Sequence, residues 1–340
     1  MFATLPVYAL CAIFLAAAGL VWIAGTHLSD ATDILSRHFG LGEALGGMIV
    51  LAIVTNLPEI AIVVSASLRG ELGVAVGNVL GGIAIQTVVL AVLDCFGLGR
   101  TQPLTRAADS PQLVMEGALV VLLLAVAMVG HHLPSSLIVW RLTPASVLIV
   151  LFWVLGLLVV SRMHAEHGTR TTHQPGRHGK SEHIGNAATI FVLGALATLG
   201  AGVALEVSGE HIAAHFGMSG AVFGATVLAA ATALPEVSTG LESMRLKDYR
   251  MAVSDIFGGN AFLLVLFFVA TLISGHAVLP AAQNTDMYLT ALAIALTTIY
   301  IGGLVAPPRK QVMRMGLDSF VVVLLYIAGV AGLFFVAAHG

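Results

Sequence analysis

The stretch 52-AIVTNLPEIAIVV-64 places a proline and a glutamate side by side inside a run that is otherwise almost pure hydrocarbon. The same event returns at 229-AAATALPEVSTGL-241. The chain around them has 340 residues, 58% hydrophobic and 10% charged. Soluble domains run near 25% charged. Residues 1–29, 72–93, 117–140, 187–205, 211–235, 256–285 and 287–308 hold no Asp, Glu, Lys or Arg. Runs of about 20 residues suffice to cross a hydrocarbon core as helix. Ten-residue segments of alternating polarity are absent, which argues against a β-barrel. The sequence therefore predicts an all-α polytopic membrane protein.

Ten transmembrane helices are expected near 3–26, 41–67, 71–96, 111–130, 134–160, 184–206, 217–242, 248–274, 284–305 and 317–338. The N-terminal apolar run lacks a basic flank, so it reads as a first helix that stays rather than a signal peptide. The polar interval 162–183 divides the chain into halves of five helices, 1–161 and 184–340. Basic residues collect in cytoplasmic loops. With the 162–183 linker inside, Arg37, Arg100, Arg106, Arg162, Arg170, Arg177, Lys180, Arg245, Lys247, Arg250, Arg309, Lys310 and Arg314 fall inside. Only Arg69 and Arg141 of the 15 Lys and Arg fall outside. Both termini are then outside.

The two Leu-Pro-Glu segments belong to a repeat. Moved back by 177 positions without a gap, the second half lays Gly224 on Gly47, Thr232 on Thr55 and Leu234-Pro235-Glu236 on Leu57-Pro58-Glu59. Ala252-Val253 falls on Ala75-Val76, and Gly258-Gly259 on Gly81-Gly82. The copies span about 46–93 and 223–270, and they begin in the second and seventh helices. An offset of five helices is odd, so the copies enter the membrane from opposite sides. Two inverted five-helix repeats are an architecture of secondary transporters.

A carboxylate at bilayer depth costs at least about 2.5–3.5 kcal/mol unless it meets a cavity or a partner. The proline beside it removes an N–H and kinks the helix, freeing carbonyl oxygens at Val54 and Ala231. Irregular backbone at that depth survives where it lines a site. Carboxylate, hydroxyl and carbonyl oxygens are ligands for hard cations such as Ca²⁺ and Na⁺. The expected site has Glu59 and Glu236 sharing one cation, with Thr55, Thr232, Asn56, Gln86 and Asn260 around it. Two neighbouring carboxylates also compete for protons, which is a physical route to ion coupling. The glycine pairs of the next helices bring Asn78, Gln86, Asp255 and Asn260 within reach of the site, although Asp94 and Asp255 fall near the expected membrane edges and read as ordinary solvated side chains.

These segments, 46-GGMIVLAIVTNLPEIAIVVSASLRGELGVAVGNVLGG-82 and 224-GATVLAAATALPEVSTGLESMRLKDYRMAVSDIFGGN-260, resemble the two α-repeats of the cation/Ca²⁺ exchanger superfamily, which includes the sodium/calcium exchangers. The resemblance implies that Glu59 and Glu236 are central Ca²⁺ ligands and that Thr55 and Thr232 help bind cations. A prokaryotic inner (plasma) membrane location is expected, and the inverted repeat points to alternating access. Asn56 and Ala233 replace a family serine, Gly82 and Gly259 another, and Gln86 and Leu263 stand at a further polar position. Fewer Na⁺ sites should therefore remain. Asn56, three residues before Glu59, is similar to the helix motif of the H⁺/Ca²⁺ branch.

The expected function is antiport of Ca²⁺, or a related cation, against H⁺ or Na⁺. A monovalent Na⁺/H⁺ antiporter on the same fold is the alternative, and a passive channel is a third reading. An enzyme is not expected, since no H-E-x-x-H helix or G-x-S-x-G elbow is present. No cofactor and no nucleic-acid partner are expected. The surroundings are the lipid bilayer and the transported cations. Cys11 and Cys95 read as small apolar residues. His164, His167, His173, His178 and His183 fit no defined zinc spacing and read as part of a solvated loop.

Overall fold

The computed structural model describes residues 5–38, 48–98, 102–167 and 184–339. In chain order the helices are α1 (Val7–His38), α2 (Met48–Thr55), α3 (Leu57–Arg69) and α4 (Leu72–Leu93), which runs on as a π-turn over Asp94–Leu98. There follow α5 (Leu104–Ala107), α6 (Pro111–His131), α7 (Pro144–His167), α8 (Ile184–His215) and α9 (Gly220–Phe223). A π-turn over Gly224–Leu228 leads into α10 (Ala229–Thr232). Then come α11 (Leu234–Arg245), α12 (Tyr249–Ser274), α13 (Asn284–Val305), the hairpin of β1 (Gln311–Val312) and β2 (Met315–Gly316), and α14 (Leu317–His339).

Among the described residues, nine helices are long and apolar enough to cross a membrane, the run Gly220–Arg245 counting as one. The tenth crossing is α2 with α3, interrupted at Asn56. The chain is thus an all-helical membrane protein of ten transmembrane segments in two inverted sets of five.

Two helices form the centre. Of the most apolar stretch of α4 and of α12, 72% is buried, against 28% in α1 and 22% in α8. The long helices α1 and α8, 32 residues each, pack along one another on the periphery. At 1.5 Å per residue each is about 48 Å long, beyond the roughly 30 Å hydrocarbon core. Glycines allow the central approaches: a Cβ on Gly77 or Gly81 of α4 would collide with the backbone of Ala221 and Ala225. Small residues replace side-chain bulk where membrane helices touch backbone to backbone.

The repeat is legible in the turns. After α3 the backbone turns at Gly70 (φ 81°), and after α11 at Lys247 (φ 63°), which is 177 positions on. Glu71 N–H reaches the Ala66 carbonyl at 2.9 Å, and Asp248 N–H reaches the Ser243 carbonyl at 2.9 Å, again the same offset.

Two boundaries differ from expectation. The fifth crossing begins at Pro144, not 134. The apolar segment before it makes a tight turn instead, with a bridge between Val139 and Leu142 and left-handed backbone at Trp140 and Arg141. Its far end runs to His167, past the boundary expected at 161. The first helix extends to His38 rather than ending near 26, because the charged residues that follow do not stop a helix leaving the membrane.

Candidate functional site

Both Leu-Pro-Glu helices break one residue before the leucine. Asn56 (φ −88°, ψ 15°) separates α2 from α3, and Ala233 (φ −76°, ψ 1°) separates α10 from α11. These positions are repeat mates. Each proline sits in the first turn of the new half-helix, where a missing N–H costs nothing. Glu59 and Glu236 occupy those same first turns. Free N–H groups and the helix dipole favour an anion there.

Glu59 is fully buried and Glu236 is 1% exposed. The two carboxylates are close enough to repel one another. Neither oxygen of Glu59 accepts a well-formed hydrogen bond, although the Thr232 hydroxyl lies within reach. Glu236 Oε1 accepts from Gln86 Nε2 at 3.2 Å, while its Oε2 is unpartnered. No Lys or Arg pairs with either carboxylate among the described residues. No group of three His, Cys, Asp or Glu side chains is placed to hold a metal ion among those residues.

The other expected site residues are all buried as well. Thr55 and Thr232 donate to the carbonyls of Ala52 (3.3 Å) and Ala229 (3.2 Å), three residues back on their own helices. Asn56 Nδ2 donates to the Ala52 carbonyl at 2.6 Å, and its Oδ1 accepts from Gln86 at 3.5 Å. Gln86 therefore bridges Asn56 of the first break to Glu236 of the second. Gly259 leaves room for this bridge: a Cβ there would stand 2.9 Å from Asn56 Nδ2 and 3.7 Å from Gln86 Oε1. Its mate Gly82 faces Leu263, the mate of Gln86, at 3.4 Å. Asn260 is buried with both amide atoms unpartnered, as is Asn78 on α4.

Several features were not anticipated. Asp94 is fully buried and Asp255 is 9% exposed, so neither is the solvated edge residue expected. Asp255 accepts from Thr239 at 3.0 Å and is an electrostatic neighbour of Glu236. Glu116 on α6 is a further buried carboxylate, held by Gln112 at 2.8 Å. Arg69 pairs with Glu206 and Glu210 of α8, and Ser65 donates to Glu206 at 3.0 Å. Arg141 donates to the Leu272 and Ile273 carbonyls at 3.1 and 3.4 Å. The two basic residues that broke the charge count are thus both engaged in side-chain bonds. The one signal for the Arg69 cluster was that Glu206 interrupts an apolar helix. Linker residues 168–183, with His173, His178 and His183, lie outside the described residues.

Two inverted broken helices, each carrying a buried carboxylate, are an architecture of secondary transporters. A sequence model of the family described as sodium/calcium exchanger protein matches residues 9–162 and 186–335, and the chain belongs to that family, within the cation/Ca²⁺ exchanger superfamily. It is 28% identical over 287 residues to inner membrane protein YrbG of Escherichia coli (strain K12), covering 82% of this chain and 85% of that one. It is 29% identical over 292 residues to the putative antiporter CaxA of Alkalimonas amylolytica, covering 84% and 88%. The fold is similar to the crystal structure of the H⁺/Ca²⁺ exchanger CAX, with a TM-score of 0.68 at 12% identity over 97% of this chain and 85% of that one. It is also similar to the sodium-calcium exchanger NCX_Mj, with a TM-score of 0.63 at 20% identity over 96% and 99%.

Proposed function

We propose that the protein exchanges Ca²⁺ for protons, with Glu59 and Glu236 sharing the ion at mid-membrane. One observation carries this reading: two buried carboxylates repel one another, no basic side chain pairs with them among the described residues, and three of their four oxygens accept no well-formed hydrogen bond. Such a pair needs positive charge, and one divalent ion or two protons supply the same amount. Alternation between those loads is an electroneutral cycle. Thr55, Thr232, Asn56 and Asn260 are the neutral groups placed to complete a hard-cation shell. The side chain at 86 favours protons over Na⁺ as counter-ion. Its amide N–H already occupies Glu236 Oε1, where an acid or hydroxyl would offer a cation another oxygen.

In this reading the halves 1–161 and 184–340 move about the fixed site, joined by the 162–183 linker on the cytoplasmic side. The charge distribution supports that orientation. The inner-membrane assignment of the Escherichia coli relative supports a bacterial inner membrane.

The test is ⁴⁵Ca²⁺ uptake into proteoliposomes under an outward H⁺ gradient or an outward Na⁺ gradient. Uptake that follows the H⁺ gradient alone supports the reading. Uptake that follows only Na⁺ refutes the counter-ion. Absence of Ca²⁺ movement under both refutes Ca²⁺ as cargo, and H⁺-driven ²²Na⁺ movement in the same vesicles would then point to Na⁺/H⁺ exchange.

A further inference from the structure

Away from the paired glutamates, the structure buries a second pair of carboxylates. Asp94 follows directly on α4 and is fully buried, while Asp318 opens α14 and is 8% exposed. Asp94 Oδ1 accepts the Leu104 N–H at 2.7 Å, and Oδ2 accepts the Gly316 N–H and the Ser319 hydroxyl, both at 2.7 Å. Asp318 accepts the Thr105 hydroxyl at 2.6 Å on Oδ2 and the Ser319 N–H at 2.9 Å on Oδ1. The two acids are close enough to repel one another. Among the described residues neither forms an ion pair.

A third group points into this cluster. Tyr300 of α13 is fully buried, its hydroxyl makes no well-formed hydrogen bond although the Ser319 side chain lies within reach, and it interacts electrostatically with both Asp94 and Asp318. A buried phenol left unsatisfied costs about 1–3 kcal/mol. The ring packs edge-on against Phe257 with centroids 6.2 Å apart, a contact that does not use the hydroxyl.

The inverted repeat supplies an internal control. Over the last two helices of each half the offset is 173, since α6 begins at Pro111 and α13 at Asn284, and α7 at Pro144 and α14 at Leu317. In the first half, a Cβ on Gly130 would stand 2.6 Å from Ala145 Cβ. In the second half, their mates Gly303 and Asp318 make the same contact, and a Cβ on Gly303 would collide with the Asp318 carboxylate. Tyr300 is the mate of Ala127, and Asp94 is the mate of Thr271 at the offset of 177. The mates of Asp318, Tyr300 and Asp94 in the repeat are thus Ala145, Ala127 and Thr271. The mates of the acids carry no charge.

The cluster offers only oxygen donors. A carboxylate has about four acceptor positions. The hydrogen bonds above use three on Asp94 and two on Asp318, which leaves both with capacity. Two negative charges and neutral oxygens match a hard divalent ion and not a soft one. Gly97 of the π-turn packs on Met244 of α11, so the cluster lies at the membrane face where α4 and α11 both end. We propose that Asp94, Asp318 and the Tyr300 hydroxyl form a second site for a hard divalent cation, separate from the paired glutamates. An ion there would join the end of α4, α5, the β1–β2 hairpin and α14.

The inference is independent of the transport reading, and its test removes the glutamates first. Ca²⁺ and Mg²⁺ are titrated calorimetrically into purified Glu59→Gln/Glu236→Gln protein at neutral pH. The expected result is one divalent ion retained per chain, with a melting temperature raised by that ion. Adding Asp318→Ala, which installs the residue of its mate Ala145, should abolish the binding heat and the rise in melting temperature that the ion causes, whatever its effect on the ion-free protein. Tyr300→Phe should weaken binding about tenfold. If the glutamate variant binds neither ion, or binding survives Asp318→Ala unchanged, the site does not exist. Failure of the transport reading would show separately, as binding in the unmodified protein equal to that of the glutamate variant.

Discussion

Gly202 of α8 lies directly on Pro58: a Cβ at 202 would stand 2.8 Å from the Pro58 carbonyl oxygen and 3.2 Å from its Cα. The mates repeat the contact, since a Cβ on Gly25 of α1 would stand 2.9 Å from Pro235 Cβ. Each long peripheral helix thus touches the opposite half's equivalent of its own neighbour, at the proline that breaks the site helix. Gly202→Ala and Gly25→Ala should each destabilise the protein by about 1–3 kcal/mol, the usual cost of overpacking. Thermal unfolding in detergent, compared with Gly200→Ala, where a Cβ meets nothing within 4 Å, checks this. Equal melting temperatures for all three variants would mean that the contact is not made.

Removing Arg69 leaves Glu206 buried without its counter-charge. Loss of one partner from a buried pair costs about 3–5 kcal/mol. The part exposure of Arg69, whose side chain is 34% accessible, places the expected loss at the low end. Arg69→Met should lower the unfolding midpoint, and Arg69→Met/Glu206→Gln should regain most of the loss. A double variant no better than the single one would contradict the pairing.

Gln86 serves two partners at once, Glu236 and Asn56. Gln86→Leu keeps the volume, copies the mate Leu263 and strands both. With a cost of about 1–3 kcal/mol for unsatisfied buried groups, the KM for Ca²⁺ should rise about tenfold or more. Uptake kinetics in proteoliposomes read this out. An unchanged KM would place Gln86 outside the site.

The turn after each Leu-Pro-Glu helix needs left-handed backbone, which costs an L-residue about 1–2 kcal/mol. Gly70→Ala should therefore destabilise by about 1 kcal/mol. Lys247→Gly relieves the same strain in the second copy and should leave unfolding unchanged or raise its midpoint. A clear loss of stability in Lys247→Gly would show that the lysine side chain contributes more than its backbone costs.

The sequence disclosed what is expensive. Proline and glutamate are costly at bilayer depth, so their recurrence at Pro58-Glu59 and Pro235-Glu236 announced both the broken helices and the pairing. The contacts of Gly25 and Gly202 carried no such signal, because a glycine among many alanines does not say what it faces. Asp94 and Asp255 were misread because distance from the end of an apolar run says nothing about what covers that end. For Asp94 the cover is α5 and the β1–β2 hairpin, elements of four and two residues with no periodicity to find. The late start of α7 has a similar origin. Val139 and Trp140 are apolar enough for a membrane, yet they form an exposed turn.

The central claim is that one ion is shared by two repeat-related carboxylates. The most direct measurement is proton-driven ⁴⁵Ca²⁺ uptake by Glu59→Gln and Glu236→Gln separately, with folding confirmed by unchanged elution on size exclusion. Sharing predicts that each single substitution abolishes exchange to a similar extent, although the residues lie on different halves. Uptake near the unmodified rate in either single variant would show that the ion is held by one glutamate alone, and the account would be wrong.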